Sequence, residues 1–150
     1  MNVIVDVQGL PELNARLVAI ANGSSEAMRN GAMTTMLRVV NQAKRLCAVR
    51  TGNLRSSITA GKLEDGAYAS AGGGNGLKDV QYAVWVEFGT GIYAANGNGR
   101  QTPWTYFDGK SFHRTSGSRP HPYFVPAVEA AMPFAEQDMK DAVDKLIEAT

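Results

Sequence analysis

The stretch Ser24-Ser25-Glu26-Ala27-Met28-Arg29-Asn30-Gly31-Ala32-Met33-Thr34-Thr35-Met36-Leu37-Arg38-Val39-Val40-Asn41-Gln42-Ala43-Lys44-Arg45-Leu46 decides the fold class. Met28, Ala32, Met36, Val39, Ala43 and Leu46 recur at three- and four-residue steps, an apolar stripe about five turns long that suits a helix and not a strand. Ser24 and Ser25 are ready N-caps, Glu26 complements the positive end of the helix, and Lys44 and Arg45 complement its negative end. Gly31 weakens such a helix by about 1 kcal/mol relative to Ala and marks a place for close contact with another helix.

Outward from this helix the pattern changes on both sides. Upstream, Val3, Val5 and Val7 alternate as in a short strand. Leu10, Leu13, Leu17 and Ile20 form the apolar face of a short helix that Pro11 opens and Asn22-Gly23 is expected to end. Downstream, Leu54 to Leu63 reads as a strand, with Ala67 to Ala71 a second one across the Glu64-Asp65-Gly66 turn. Gly72-Gly73-Gly74-Asn75-Gly76 reads as a flexible loop. Val80, Tyr82, Val84, Val86 and Phe88 alternate over nine residues as a strand, with Trp85 and Glu87 on its other face. Residues 92–121 form a long irregular loop in which Trp104, Tyr106, Phe107 and Phe112 are set among Gly, Asn, Ser and Arg. Val128, Ala131, Ala135, Met139, Ala142 and Leu146 line a final helix, which Pro133 kinks or restarts. The expectation is an α+β fold: one domain over residues 1–150, with an antiparallel sheet of three to five strands packed against the long helix and the C-terminal helix.

Composition narrows the class. With 150 residues, 44% hydrophobic and 19% charged, the chain can bury an ordinary core and is not of disordered type. No apolar run approaches the ~20 residues of a membrane span, and the start lacks the pattern of a signal peptide, so a cytoplasmic protein without membrane contact is expected unless it is built into a particle. Cys47 is the one cysteine, which excludes an intrachain disulfide and a cysteine-based zinc site; in a helical pattern it reads as a buried small hydrophobe. The net charge of +1 divides into blocks: +5 over residues 1–62, −3 over 63–99, +3 over 100–121 and −4 over 122–150. Such blocks suit a subunit whose faces meet oppositely charged neighbours, and equally suit solvated faces of mixed sign.

Groups for chemistry are sparse. His113 and His121 lack the spacing of metal ligands, and the glycine run lacks the Gly-Lys-Ser/Thr ending of a phosphate loop. Asp108 and Glu87 have no paired carboxylate, and Ser56 and Ser57 sit in no nucleophile elbow. No catalytic residue, metal site or cofactor is expected. Arg50, Arg55, Arg100, Arg114 and Arg119, interleaved with aromatics in the last segment, suit either nucleic acid or a protein interface. The near-neutral charge and the lack of a recognition-helix pattern favour protein. The candidate contact residues are Arg50, Arg55, Glu87, Arg100, Trp104, Tyr106, Phe107 and Arg114, with Glu87 expected to pair with an arginine of the domain or of a neighbouring subunit.

Three segments carry a family resemblance: Arg50-Thr51-Gly52-Asn53-Leu54-Arg55-Ser56-Ser57-Ile58, Tyr82-Ala83-Val84-Trp85-Val86-Glu87-Phe88-Gly89-Thr90-Gly91, and Pro120-His121-Pro122-Tyr123-Phe124-Val125-Pro126-Ala127-Val128. In this order and spacing, from about Ser24 to the end, the chain resembles the tail-completion (minor tail or neck) proteins of long-tailed double-stranded-DNA phages. It departs from them at Ala48, where a proline often precedes the Thr-Gly turn, and in a longer loop between Gly91 and Arg119. Within the motifs, Thr51, Gly52 and Leu54 turn the chain after the long helix and Phe88 and Gly89 close a strand. Pro122 and Pro126 fix the entry to the last helix, with Phe124 as its core anchor. The resemblance implies a non-enzymatic virion protein of the tail or neck, made in the host cytoplasm. It implies self-association in a ring, contact with other head–tail joining or tail-tube proteins, and DNA passing through the channel without sequence-specific binding. A nucleic-acid-binding module, or a small phage hydrolase using Asp108, Glu87 or His113, are the alternatives.

Overall fold

The computed structural model describes residues 8–72 and 82–150. The expected opening strand at Val3–Val7, and most of the glycine loop at 72–76, lie outside the described residues. Helix α1 runs from Leu10 to Leu46, about 55 Å long. A five-residue helix α2 (Asn53–Ser57) leads into strand β1 (Thr59–Lys62), which pairs antiparallel with β2 (Ala67–Ser70). Helix α3 (Ala83–Phe88) and a 3₁₀ turn at Gly91–Tyr93 precede a second hairpin, β3 (Trp104–Phe107) with β4 (Phe112–Thr115). The chain ends in α4 (Val125–Ala131), a 3₁₀ turn (Met132–Phe134) and α5 (Ala135–Glu148). The α+β class holds, but among the described residues the strands form two separate two-stranded hairpins and not one sheet of three to five strands.

Several local expectations are corrected. Asn22-Gly23 does not end a helix; α1 passes straight through it. A Cβ at Gly23 would lie 2.7 Å from Leu146 of α5, so this glycine serves close helix packing and not a left-handed cap. Ser24 accordingly turns its hydroxyl back to the Ala21 carbonyl at 2.9 Å and does not cap. The buried line of α1 is Ala27, Gly31, Thr35, Val39, Ala43 and Cys47, while Met28 and Leu46 face solvent. Small side chains win this face because α5 packs so close that a Cβ on Gly31 would stand 2.5 Å from the Met139 Cα. Gly31 thus does mark a close helix contact, and Cys47 is buried as expected.

The strand expected from Leu54 begins only at Thr59, because Gly52 (φ 81°) sends the chain into α2 first. Its carbonyl accepts the Ser56 N–H at 2.9 Å and the Ser56 hydroxyl at 2.8 Å. The alternating run ending at Phe88 is helical from Ala83: Ala83 and Glu87, four apart, are buried, and Val84 and Trp85 are exposed. Pro133 restarts the final helix through a 3₁₀ turn. Tyr123, at 1% exposure, is the core anchor expected of Phe124, which is only partly buried against the same cluster.

The core gathers Val39, Val40, Ala43, Leu54, Ile58, Ala83, Tyr123, Ala127 and Ala131 between α1, α2, α3 and α4. The first hairpin is fastened to α1 by Lys62, which reaches Glu26 at 2.8 Å and Asn30 at 2.6 Å, and by Arg29, which donates to the Glu64 carbonyl at 2.8 Å. Helix α5 is fastened by Asp138, which takes two bonds from Arg38 (2.8 Å each) and one from the Thr35 hydroxyl at 3.0 Å. The Arg38 guanidinium holds the Asp138 carboxyl below the usual carboxylate range; Thr35 adds to this and burial opposes it.

Two outcomes test this packing. Gly31→Ala should lower stability by roughly 1–2 kcal/mol, because overpacking against the α5 backbone outweighs the gain in helix propensity. Gly23→Ala meets only the mobile end of Leu146 and should be neutral or stabilising, so urea midpoints separate the two. Because the folded pKa of Asp138 lies below its unfolded value, its contribution is complete above about pH 5 and lost as pH falls through the folded pKa. The stability difference between wild type and Asp138→Asn should therefore be constant near neutrality and shrink below about pH 4.

Candidate subunit interface

Glu87 forms no ion pair among the described residues. Its buried carboxylate accepts the backbone N–H groups of Tyr123 (2.8 Å), Phe124 (2.9 Å) and Val125 (2.9 Å) at the start of α4. These are donors a helix start leaves unpaired, and a carboxylate there also complements the helix dipole. Pro126 sits in the first turn, where its missing N–H is no loss. The contact role expected for Glu87 is thus replaced by an internal one, and the Tyr82–Gly91 and Pro120–Val128 segments prove to be two halves of one joint.

The same joint grips the base of the long loop. Thr90 N–H donates to the Ser118 carbonyl at 2.9 Å, Ile92 N–H to Ser116 at 3.0 Å, and His121 N–H to Val86 at 2.7 Å. At Gly91 a Cβ would overlap the Ser116 carbonyl, and at Gly117 one would overlap that of Thr90, so the two backbones close only as glycines. The loop read as irregular therefore springs from a tight clasp and carries the β3–β4 hairpin. Its Asp108-Gly109-Lys110-Ser111 turn is organised by Asp108, whose Oδ1 accepts the Lys110 and Ser111 N–H groups at 2.8 Å each. Those backbone bonds, from Ser111 first, hold the Asp108 carboxyl below its ordinary range, with His113 adding to them.

Register sorts the hairpin side chains onto two faces. Trp104 and Tyr106 lie opposite Thr115 and His113; Thr105 and Phe107 lie opposite Arg114 and Phe112. The first face looks back to the body, where Trp104, Tyr106 and Thr115 line a groove with Trp85 and Thr90. Tyr106 stacks on His113 at 5.4 Å, and Arg100 lies over Trp104 at 5.6 Å. The second face is turned to solvent: the Phe107 and Phe112 rings meet at 5.0 Å, yet Phe107 is 56% and Phe112 77% exposed. Two touching phenyl rings thus stand exposed beside Arg114, a mixture of aromatic and arginine side chains of the kind enriched at protein contacts.

Of the expected contact residues, the fold brings Arg100, Trp104, Tyr106, Phe107 and Arg114 together on the hairpin. Arg50 and Arg55 are exposed elsewhere, at the turn after α1, where Arg50 lines a groove with Thr51, Tyr82 and Arg119. Phe112 belongs with the hairpin group; the sequence Trp104-Thr105-Tyr106-Phe107, an Asp-Gly turn, then Phe112-His113-Arg114-Thr115 is a hairpin signal that would have found it. A second exposed apolar surface is Leu10, Leu13, Leu17 and Val18 at the start of α1, each at least 50% exposed.

The residues of the hydrolase alternative do not converge. Glu87 is occupied by the α4 backbone. Asp108, His113 and Ser111 do meet, but Asp108 and Ser111 both contact His113 Nε2, at 2.8 and 3.0 Å, whereas a proton relay needs one on each ring nitrogen. Among the described residues no group of three or more His, Cys, Asp or Glu is placed to hold a metal, and no helix is long and apolar enough to cross a membrane.

Comparison with protein families matches residues 12–89, just over half of the chain, to the family described as "Bacteriophage HK97-gp10, putative tail-component". The chain belongs to this HK97-gp10-like family of phage tail components. No curated protein and no solved structure matches it. The matched stretch runs from α1 to the end of α3, so it holds the first motif segment, the second as far as Gly89, and Glu87, while the β3–β4 hairpin and the helix α4 that Glu87 anchors follow it.

Glu87→Ala removes three charge-assisted bonds and leaves their donors buried or half-buried, so it should cost about 3–5 kcal/mol. Glu87→Gln keeps the shape and should cost less, because one of its two terminal groups still accepts. Thermal unfolding of the two variants checks that order.

Proposed function

We propose that this tail component is a structural, non-enzymatic subunit that completes the tail or joins it to the head, working in a ring around the DNA channel. Family membership supports the tail assignment. The observation that carries the assembly role is the braced hairpin with its exposed phenyl pair: a clasp that costs two glycines and a buried carboxylate holds an aromatic surface away from the core, which serves contact and not stability. The partners are further copies of the chain and neighbouring head–tail joining or tail-tube proteins. DNA passes through the channel and is not read in sequence. The chain is made in the host cytoplasm and ends in the virion, at the tail or neck, as one domain over residues 1–150.

Replacing residues 101–114 by a short Gly-Ser linker leaves the clasp at 90–92 and 116–118 in place. Particles made with this variant should show unjoined heads and tails by electron microscopy, and infectivity should fall by orders of magnitude. Normal infectious particles would count against the assignment. The nucleic-acid alternative predicts steeply salt-dependent DNA binding by the purified protein, whereas a channel lining of this near-neutral chain should retain DNA only weakly at low salt.

A further inference from the structure

The α1 sequence carries one uninterrupted seam at alternating steps of three and four: Leu10, Leu13, Leu17, Ile20, then Ser24, Ala27 and Gly31. Helix α5 runs antiparallel along it, with Met139 against Gly31 and Leu146 against Gly23. As α5 ends at Glu148, the first three leucines continue the seam beyond its reach for about 15 Å. They are 52–56% exposed, an apolar surface that the described helices leave open.

We infer that this open end of the seam receives the outer hairpin face of the next copy, so that Phe107 and Phe112 of one subunit seat against Leu10, Leu13 and Leu17 of its neighbour. The inference rests on the ring reading above and names its contact. Dimensions agree: a four-residue strand spans about 13 Å, close to the exposed seam. Charge agrees as well. Residues 100–121, which carry Lys110 and Arg114 beside the phenyl pair, have a net charge of +3. Residues 122–150, whose Asp144 and Glu148 stand exposed in the last turns of α5, have −4. Both acids are exposed and no ion pair involves them among the described residues. The two surfaces are unlike, lie on one chain and are complementary. Such a pair makes a head-to-tail contact, which closes into a ring when the rotation between neighbours divides a circle.

Cysteine cross-linking tests this directly, since the native Cys47 is buried. A chain carrying both Leu13→Cys and Phe112→Cys, treated with a short bismaleimide as concentrated purified protein and in purified particles, should give a ladder of trimers and larger species. Each single variant should stay uncross-linked. Both sites are exposed, so the fold is retained, which circular dichroism verifies. Dimers from Leu13→Cys alone would mean that seam meets seam, and would overturn the contact. Rings visible by electron microscopy with no cross-linked ladder would overturn it too, leaving the ring reading intact. Absence of any oligomer in solution and in particles would remove both.

Discussion

The carboxylate of Glu87 accepts three consecutive N–H groups from Tyr123 to Val125, and most of the molecule's arrangement follows from that junction. It fixes α3 against the start of α4, which brings Tyr123 and Ala127 onto Val39, Ala43 and Leu54. It also holds the chain before Tyr123 beside the segment after Glu87, where the Gly91 and Gly117 backbones can close. Three bonds to a charged acceptor repay the burial of the carboxylate, whereas an unpaired one would be expelled from such a site. The joint therefore serves folding and, through the clasp, the display of the hairpin.

The contrast between the two ends of the long helix gives the fold its character. Toward Cys47, α1 is enclosed by α2, α4 and the first hairpin. In the middle, small residues admit α5 to near backbone contact, secured by the Thr35–Asp138–Arg38 cluster. At its start the helix has the apolar face of Leu10, Leu13 and Leu17 exposed. A protein with no further contacts would gain by making those leucines polar. Their presence, like that of Phe107 and Phe112, is consistent with surfaces completed only on assembly.

Several features were legible from residue pattern. The long helix, the glycine contact at Gly31, the turn at Gly52, the second strand at Ala67, the restart at Pro133 and the motif residues up to Gly89, which fall in the stretch that matches a phage tail family, all have local or compositional signals. The aromatic segment around Trp104 stood out by its mixture of Arg and aromatic residues, and the fold leaves Phe107 and Phe112 exposed there. Its hairpin was missed although the Asp-Gly turn was present, because the surrounding Gly, Asn and Ser suggested an unstructured loop.

What the sequence determined by itself is the helical period of residues 24–46, the places where glycine and proline redirect the chain, and the family to which residues 12–89 belong. Only the tertiary structure decided that Gly23 continues a helix, since its reason is Leu146 on another element. Only the tertiary structure made residues 83–88 a helix as well. A short apolar run fits either period, and the choice falls to the partner: Glu87 must face inward to meet backbone donors 36 to 38 residues away. Local pattern carries no information about a donor that distant, and the exposed seam and phenyl pair became visible only once the core had claimed its own residues.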